Sequence, residues 1–354
     1  MSTEFLTDLF GRGSDVKNIM SELQELNFII KVSGSYIKHA ATYKLNDTIA
    51  TENVFNHNFC ASDSALIKRL EENIIDVKSS IDQLKMLRNY VKVSTEGKDY
   101  LLKKYNAENE LDFATDHSDY GLKAIYDQRY FSTRPDIKSR VYTNLTSLSR
   151  NHRKYVEIDR KPMLMTDINN SQILLTVPLI HKHWAKISGI GLFNLPEDIR
   201  NFQKLAESGK FYEAIAKTVG MNFLSYDMRS EFKNKVFAEI WFSKNSKRMT
   251  AIKKAFKKEF PNVFDIIWKL KEKKHNEFAI KLQRFEASIL VDKVWKKMFK
   301  LGKVVFTLHD AIICNNLADL EFAEKLISDE LAKHWITPMF KREQNEEIIF
   351  SVAA

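Results

Sequence analysis

The sequence predicts an α+β fold richer in helix than in strand, and three observations carry that prediction. Glycine and proline are scarce, 10 and 6 of 354 residues, against usual shares of about 7% and 5%, so long uninterrupted elements should dominate. Several stretches repeat apolar residues at helical spacing over ten or more positions. Two short β-rich runs, Met163 to Asp167 and Lys303 to Asn316, each carry an aspartate where the strand ends or turns. A hydrophobic share of 44% and a charged share of 29% suit a chain that buries a core, which excludes disordered and collagen-like classes. The length allows two domains or one large one.

Taken in chain order, residues 15–48 read as a helix, the run Leu26 to Val32, a turn at Ser33 to Ser35 and a second run from Thr42 to Asn46. That order is the order of a winged helix, expected for a small N-terminal domain over 1–60. Ser62 and Asp63 can cap a helix, and Leu66, Leu70, Ile74, Val77, Ile81, Leu84 and Leu87 recur at helical spacing to about Val93. One long or two medium amphipathic helices follow, ending in a loop rich in Asn, Asp and Ser near 106–119. A second unit over 61–130 and a core over 131–354 are expected. In that core, Met163 to Asp167 reads as a short buried strand, and Ser171 begins a helical or second apolar stretch.

Asp227 to Lys244 lacks Gly and Pro and should be helical. Arg229, Lys233, Phe237 and Trp241 recur every fourth residue, and each such step drifts only about 40° on a helix, so the four share a slowly turning face. Phe232, Val236 and Ile240 form the adjacent buried stripe. Residues 255–270 suggest a packed helix pair. The last element, Lys303 to Asn316, is two β-rich runs joined at His309-Asp310, a hairpin with an acid at its tip.

The formal net charge of +9 is localised. Between Lys244 and Arg284 stand 13 Lys/Arg and 4 Asp/Glu, a local +9, so the rest balances at 42 against 42 (55 − 13 and 46 − 4). A concentrated basic field supplies sequence-independent affinity for a phosphate backbone. Only Cys60 and Cys314 are present, which excludes a disulfide framework or a four-cysteine zinc site. Met1 to Asp8 has no basic n-region followed by an apolar h-region, so no signal peptide is expected and the cytoplasm is the expected location. The apolar run Ile173 to Ile180 falls far short of the ~20 residues that span a bilayer, so no membrane partner is expected. No Gly-Lys-Ser/Thr P-loop and no complete dinucleotide fingerprint occurs. His181 and His183 have no third ligand nearby and stay unassigned.

Asp167 and Asp310 on neighbouring strands are the residue types that hold two Mg²⁺ about 3.5–4 Å apart for phosphoryl transfer. A helix face with cations at one end and aromatic rings at the other suits a nucleoside triphosphate. In this order the residues resemble the family-A DNA polymerases and the related phage-type single-subunit RNA polymerases. Asp167 with Ser171-Gln172-Ile173 is similar to their first palm motif, Arg229-x3-Lys233-x3-Phe237 to their fingers-helix motif, and His309-Asp310 to their last palm motif. Ser139-Arg140 through Arg153 resembles the stretch that precedes the first palm motif, and Leu282-Gln283 through Leu290 the Gln-containing helix at the primer terminus.

The resemblance spans about residues 130–320. It implies a right-hand polymerase with a small antiparallel palm sheet and helical fingers and thumb, the thumb-like helices over 61–130 and the palm and fingers over 131–354, and no exonuclease domain. It implies Asp167 and Asp310 as the ligands of two Mg²⁺, for which Mn²⁺ can substitute. It implies Lys233 as a catalytic group at the leaving phosphates, Arg229, Lys233, Phe237, Trp241 and Gln172 as nucleotide contacts, and Arg140, Arg153, Gln283 and His309 as primer-template contacts. The implied partners are a DNA primer-template, nucleoside triphosphates, and a helicase or small accessory protein, in the setting of a phage or mobile element. Two departures stand out. Asp-Ile-Asn-Asn-Ser-Gln-Ile-Leu-Leu replaces Asp-x-Ser-Gln-Ile-Glu, so the sugar-sensing carboxylate falls on Leu174 or Gln172, which opens primase-like synthesis from ribonucleotides. Trp241-Phe242 replaces a Tyr-Gly pair. A small RNA polymerase is the alternative of the same class, and a catalytically inactive nucleic-acid-binding replication protein the alternative of another.

Overall fold

A computed structural model describes residues 21, 24–25, 29–33, 42–45, 79–104, 119–189, 194–223, 225–246, 248–272, 274, 276–344 and 347–352. The chain divides into two compact units, Met1–Val77 and Lys78–Ala354. In the first, β1 (Ile29–Ser33) pairs antiparallel with β2 (Thr42–Leu45), with a register shift between Lys31 and Ser33. The turn expected at Ser33 to Ser35, the caps Ser62-Asp63 and the apolar positions from Leu66 to Val77 lie largely outside the described residues, as does Cys60.

The second unit begins with a helix covering 79–90 (α1), then β3 (Val91–Val93), α2 (Thr95–Lys104), α3 (Tyr120–Tyr126), the short strands β4 (Ser132–Thr133) and β5 (Tyr142–Thr143), a 3₁₀ turn at Arg150–Tyr155, β6 (Val156–Ile158), β7 (Lys161–Pro162) and β8 (Leu164–Ile168). Helices follow: α4 (Ser171–Ser188), α5 (Glu197–Glu207), α6 (Phe211–Thr218), α7 (Tyr226–Val236), α8 (Ala251–Glu259), α9 (Pro261–Leu270), α10 (Glu277–Ile289) and α11 (Lys296–Lys300). The chain closes with β9 (Val305–Leu308), β10 (Ala311–Cys314), α12 (Leu317–Ala332), β11 (Met339–Gln344) and β12 (Glu347–Val352). The result is helix-rich α+β with small antiparallel sheets. No helix among the described residues is long and apolar enough to cross a membrane.

Helix was expected to run to Val93, but Val91–Val93 is a strand that pairs with Val156–Ile158. Val91 and Val93 point inward and Lys92 outward, the period of two that a β-branched pair favours once a partner strand is present. The helix pair expected over 255–270 forms as α8 and α9, separated by Phe260 and restarted by Pro261 at the first helical position.

The main sheet has the order β12-β11-β8-β10-β9, and every pairing in it is antiparallel. Its two faces follow from register. Thr166 on β8 and Arg342 on β11 are partners on one face, and both bond to the buried Glu324 of α12: Thr166 Oγ1 donates at 2.8 Å, and the Arg342 guanidinium donates at 2.8 and 2.7 Å. Helix α12 therefore covers that face, and the bidentate pair satisfies a carboxylate that burial would otherwise penalise. Met165 and Asp167 belong to the opposite face, beside their β11 partners Glu343 and Lys341.

Candidate active site

Asp167 sits next to the last residue of β8, and Asp310 lies in the two-residue turn between β9 and β10. His309 takes the first turn position at φ 53°, the left-handed conformation that such tight turns require. Ala311 pairs with Asp167, so Asp310 is held beside it, and its backbone carbonyl accepts the Ile168 N–H at 3.4 Å. The Ser171 hydroxyl at the start of α4 donates to Asp310 Oδ2 at 2.7 Å. Burial, and then the charge of Asp310, push the Asp167 carboxyl up to about 7; Lys341 and Lys233 act in the opposite direction. The pair repels itself, which is the electrostatic condition a divalent cation relieves.

Across an open cleft of about 480 Å³ stands α7, which presents Arg229 and Lys233 toward the two aspartates. Ser225 caps this helix, its hydroxyl accepting the Met228 N–H at 3.2 Å. Arg229 donates to Glu213 at 2.6 Å and to the Gly209 carbonyl at 3.4 Å, and its guanidinium lies 5.4 Å from the centre of the Tyr212 ring. The Lys233 ammonium rests 6.0 Å from the Tyr212 ring and 5.9 Å from the Phe237 ring, with no carboxylate partner among the described residues. Asp167, Asp310 and the Arg229–Lys233 pair, read from three separate points of the sequence, thus meet in one cleft.

The aromatic end of α7 differs from expectation. From Phe237 to Phe242 the helix widens to i→i+5 turns. Phe237 stays half-buried, while Trp241 turns into the core, fully buried with its indole N–H donated to Thr176 Oγ1 at 3.0 Å. Trp241 is therefore a core residue and not a ring facing a nucleotide. Phe242 takes the outward place, 46% exposed and stacked at 5.7 Å on Phe237.

Two expected contacts belong to an internal network. The Arg140 guanidinium donates to Glu286 Oε1 at 2.6 Å and Oε2 at 2.8 Å, and the Gln172 amide donates to Glu286 Oε2 at 2.9 Å. Glu286 is buried, and burial with the nearby charge of Asp310 pushes it up to about 7 against the pull of Arg140. Arg140 and Gln172 are thus engaged inside the protein and not held open for primer-template or nucleotide, and Leu174 is buried. Gln283, one turn earlier on α10, is exposed away from this network. Glu286 is the residue the sequence reading missed. Its signal was a charge on the apolar stripe of Leu282, Glu286 and Ile289.

His309 and Arg153 flank Asp310 and Asp167. Burial first, and then the charge of Arg140, push the His309 imidazole below its usual value, and its ring sits 6.4 Å from that of Tyr142. Arg153 lies 3.7 Å from Glu343 and 3.7 Å from the Met165 sulfur, in a groove of about 330 Å³ that also includes Arg150 and Lys154. The basic run 244–284 divides. Lys254, Lys257, Lys258, Lys269, Lys281 and Arg284 are exposed, whereas Lys253 and Lys271 are buried. The Lys271 ammonium donates to the carbonyls of Ile240 at 2.5 Å and Ser243 at 3.0 Å, closing the wide turn after α7, and burial pushes it down to about 8.

Among the described residues no group of three or more His, Cys, Asp or Glu side chains gathers at metal-binding range. Two hard carboxylates beside a cationic cleft nevertheless fit Mg²⁺, which takes one or two carboxylates together with substrate phosphates and water. Compared with models of known protein families and with curated proteins, the chain matches none.

Proposed function

We propose that the second unit is a template-directed nucleotidyltransferase of the family-A polymerase type, extending a nucleic-acid primer. The observation that carries this reading is the facing of Asp167 and Asp310 on adjacent strands against Arg229 and Lys233 on one helix, across one cleft. The order of these groups along the chain, similar to palm, fingers and palm motifs, supports it, as does the exposed basic surface of 244–284.

In the proposed reaction a primer 3′-oxygen attacks the α-phosphorus of a nucleoside triphosphate, the bond to the bridging oxygen of pyrophosphate breaks, and the hydroxyl proton is released. Asp167 and Asp310 would hold Mg²⁺, for which Mn²⁺ can substitute, and the bound metal would supply positive charge toward the hydroxyl and the phosphates. Lys233 faces the departing phosphates, offering an ammonium that no carboxylate in the described structure neutralises. Arg229, oriented by Glu213 and Tyr212, binds a phosphate oxygen. Phe237 and Phe242 offer aromatic surface for the base. Buried Glu286 fixes Arg140 and Gln172 beside Asp310.

Primer extension with dNTPs or NTPs, comparing wild type with Asp310→Asn, tests the reading. The expected result is extension by the wild type that drops by at least about 10³-fold in the variant while nucleic-acid binding persists. Equal activity in both proteins, or no extension by the wild type in either nucleotide set, overturns it.

A further inference from the structure

The cleft holds a third cation that no motif announces. Lys341 on β11 is the register partner of Asp167 on β8, so the two side chains leave the same face of the sheet from backbones about 5 Å apart. It lines the same cleft as Arg229 and Lys233. Its charged neighbours along β11 are engaged: Arg342 with Glu324 and Glu321, and Glu343 with Arg150 and Arg153. Lys341 is half-buried, and no ion pair or hydrogen bond to it is formed among the described residues, although a carboxylate stands directly across the strand pair. Lys341 therefore lines the cleft without an ion pair to Asp167, acting on that carboxyl only through space.

The remaining charges of the cleft decide what it waits for. Arg229 is matched by Glu213 at 2.6 Å. Lys233 on the helix and Lys341 on the sheet line the cleft without an ion pair among the described residues, and both act on Asp167 only through space. An anion held by both must carry negative charge on two opposite sides, which a nucleoside polyphosphate does and a single carboxylate does not. We propose that Lys341 is a substrate contact that binds the β- and γ-phosphates of the nucleoside triphosphate from the sheet side, opposite Lys233. This rests on the nucleotidyl-transfer reading above.

The test uses the full chain as wild type, Lys341→Met and Lys341→Arg. Three quantities are measured: KM and kcat for the nucleotide in primer extension, the inhibition constant of inorganic tripolyphosphate in the same assay, and the thermal midpoint. One lost charge-assisted hydrogen bond corresponds to about 10-fold or more in binding. Lys341→Met should raise KM and the tripolyphosphate constant about 10-fold or more, with kcat within about threefold. Lys341→Arg should stay within about threefold of wild type throughout. If Lys341 only neutralises the aspartates, Lys341→Met lowers the midpoint, Asp167→Asn restores it, and KM and the tripolyphosphate constant stay unchanged, which overturns the proposal. Wild-type extension together with an unchanged KM in Lys341→Met overturns this inference alone. Absence of both extension and tripolyphosphate binding in the wild type removes the nucleotidyl-transfer reading and this inference with it.

Discussion

Removing Arg140 should make the stability of the protein depend on pH in a range where the wild type is indifferent. In Arg140→Met, Glu286 loses the guanidinium that donates at 2.6 and 2.8 Å and keeps only the Gln172 amide. Its carboxyl is already pushed up to about 7 with Arg140 in place, and without that cation it moves higher. A carboxyl raised in the folded state above its unfolded value near 4.5 binds a proton that the unfolded chain has released. Stability is then greatest at low pH and falls as pH rises toward the folded value, by about 1.4 kcal/mol per pH unit. The wild-type contribution levels off above about pH 7, whereas the variant continues to fall. From pH 7 to 8.5 the variant should lose about 1–2 kcal/mol more than wild type, or roughly 2–8 °C in thermal midpoint at this size. Urea unfolding at pH 5.5, 7.0 and 8.5 reads this directly, and Arg140→Met/Glu286→Gln should abolish the extra slope. A variant as flat as wild type above pH 7, or a double variant that keeps the slope, refutes the assignment of Glu286 as the buried acid that Arg140 compensates.

Other consequences are as direct. Asp167→Asn removes a carboxylate that burial and Asp310 hold up at about 7; since the folded value is raised, the gain appears above it and fades as pH falls. Thermal unfolding should show about 1–2 kcal/mol of added stability at pH 8, reduced by solvent in the open cleft, little at pH 5, and loss of synthesis. Trp241→Phe should cost about 1–3 kcal/mol through lost packing and the broken bond to Thr176, with the nucleotide KM unchanged. Phe237→Ala, which removes the ring 5.9 Å from the Lys233 ammonium, should raise that KM; a larger KM effect from Trp241→Phe than from Phe237→Ala would return the indole to the binding surface.

What was legible in the sequence was local. The strand ending at Asp167, the turn at His309-Asp310 and the helical spacing of Arg229 and Lys233 all follow from short-range periodicity and turn chemistry, and these four residues meet in the cleft. What was not legible depended on distant pairing. Trp241 is buried against Thr176, 65 positions away in the sequence, a partner that residue spacing along one helix does not show. Glu286 escaped because Gln283 was singled out by residue type, while the buried stripe of α10 runs through Leu282, Glu286 and Ile289. Lys341 lies some 170 positions from Asp167 in sequence (341 − 167 = 174), and only the pairing of β11 with β8 brings them to one face. The segment Val91–Val93 became a strand for the same reason, because its partner lies at Val156–Ile158.

The central claim is that the Asp167–Asp310 cleft joins a nucleotide to a primer under the direction of a template. The most direct measurement is single-nucleotide incorporation onto a labelled primer, with the templating base changed through all four identities and each nucleotide offered alone. The incorporated nucleotide should follow the templating base by Watson–Crick pairing, and incorporation should cease in Asp310→Asn. Incorporation indifferent to the templating base, or undiminished in Asp310→Asn, contradicts it.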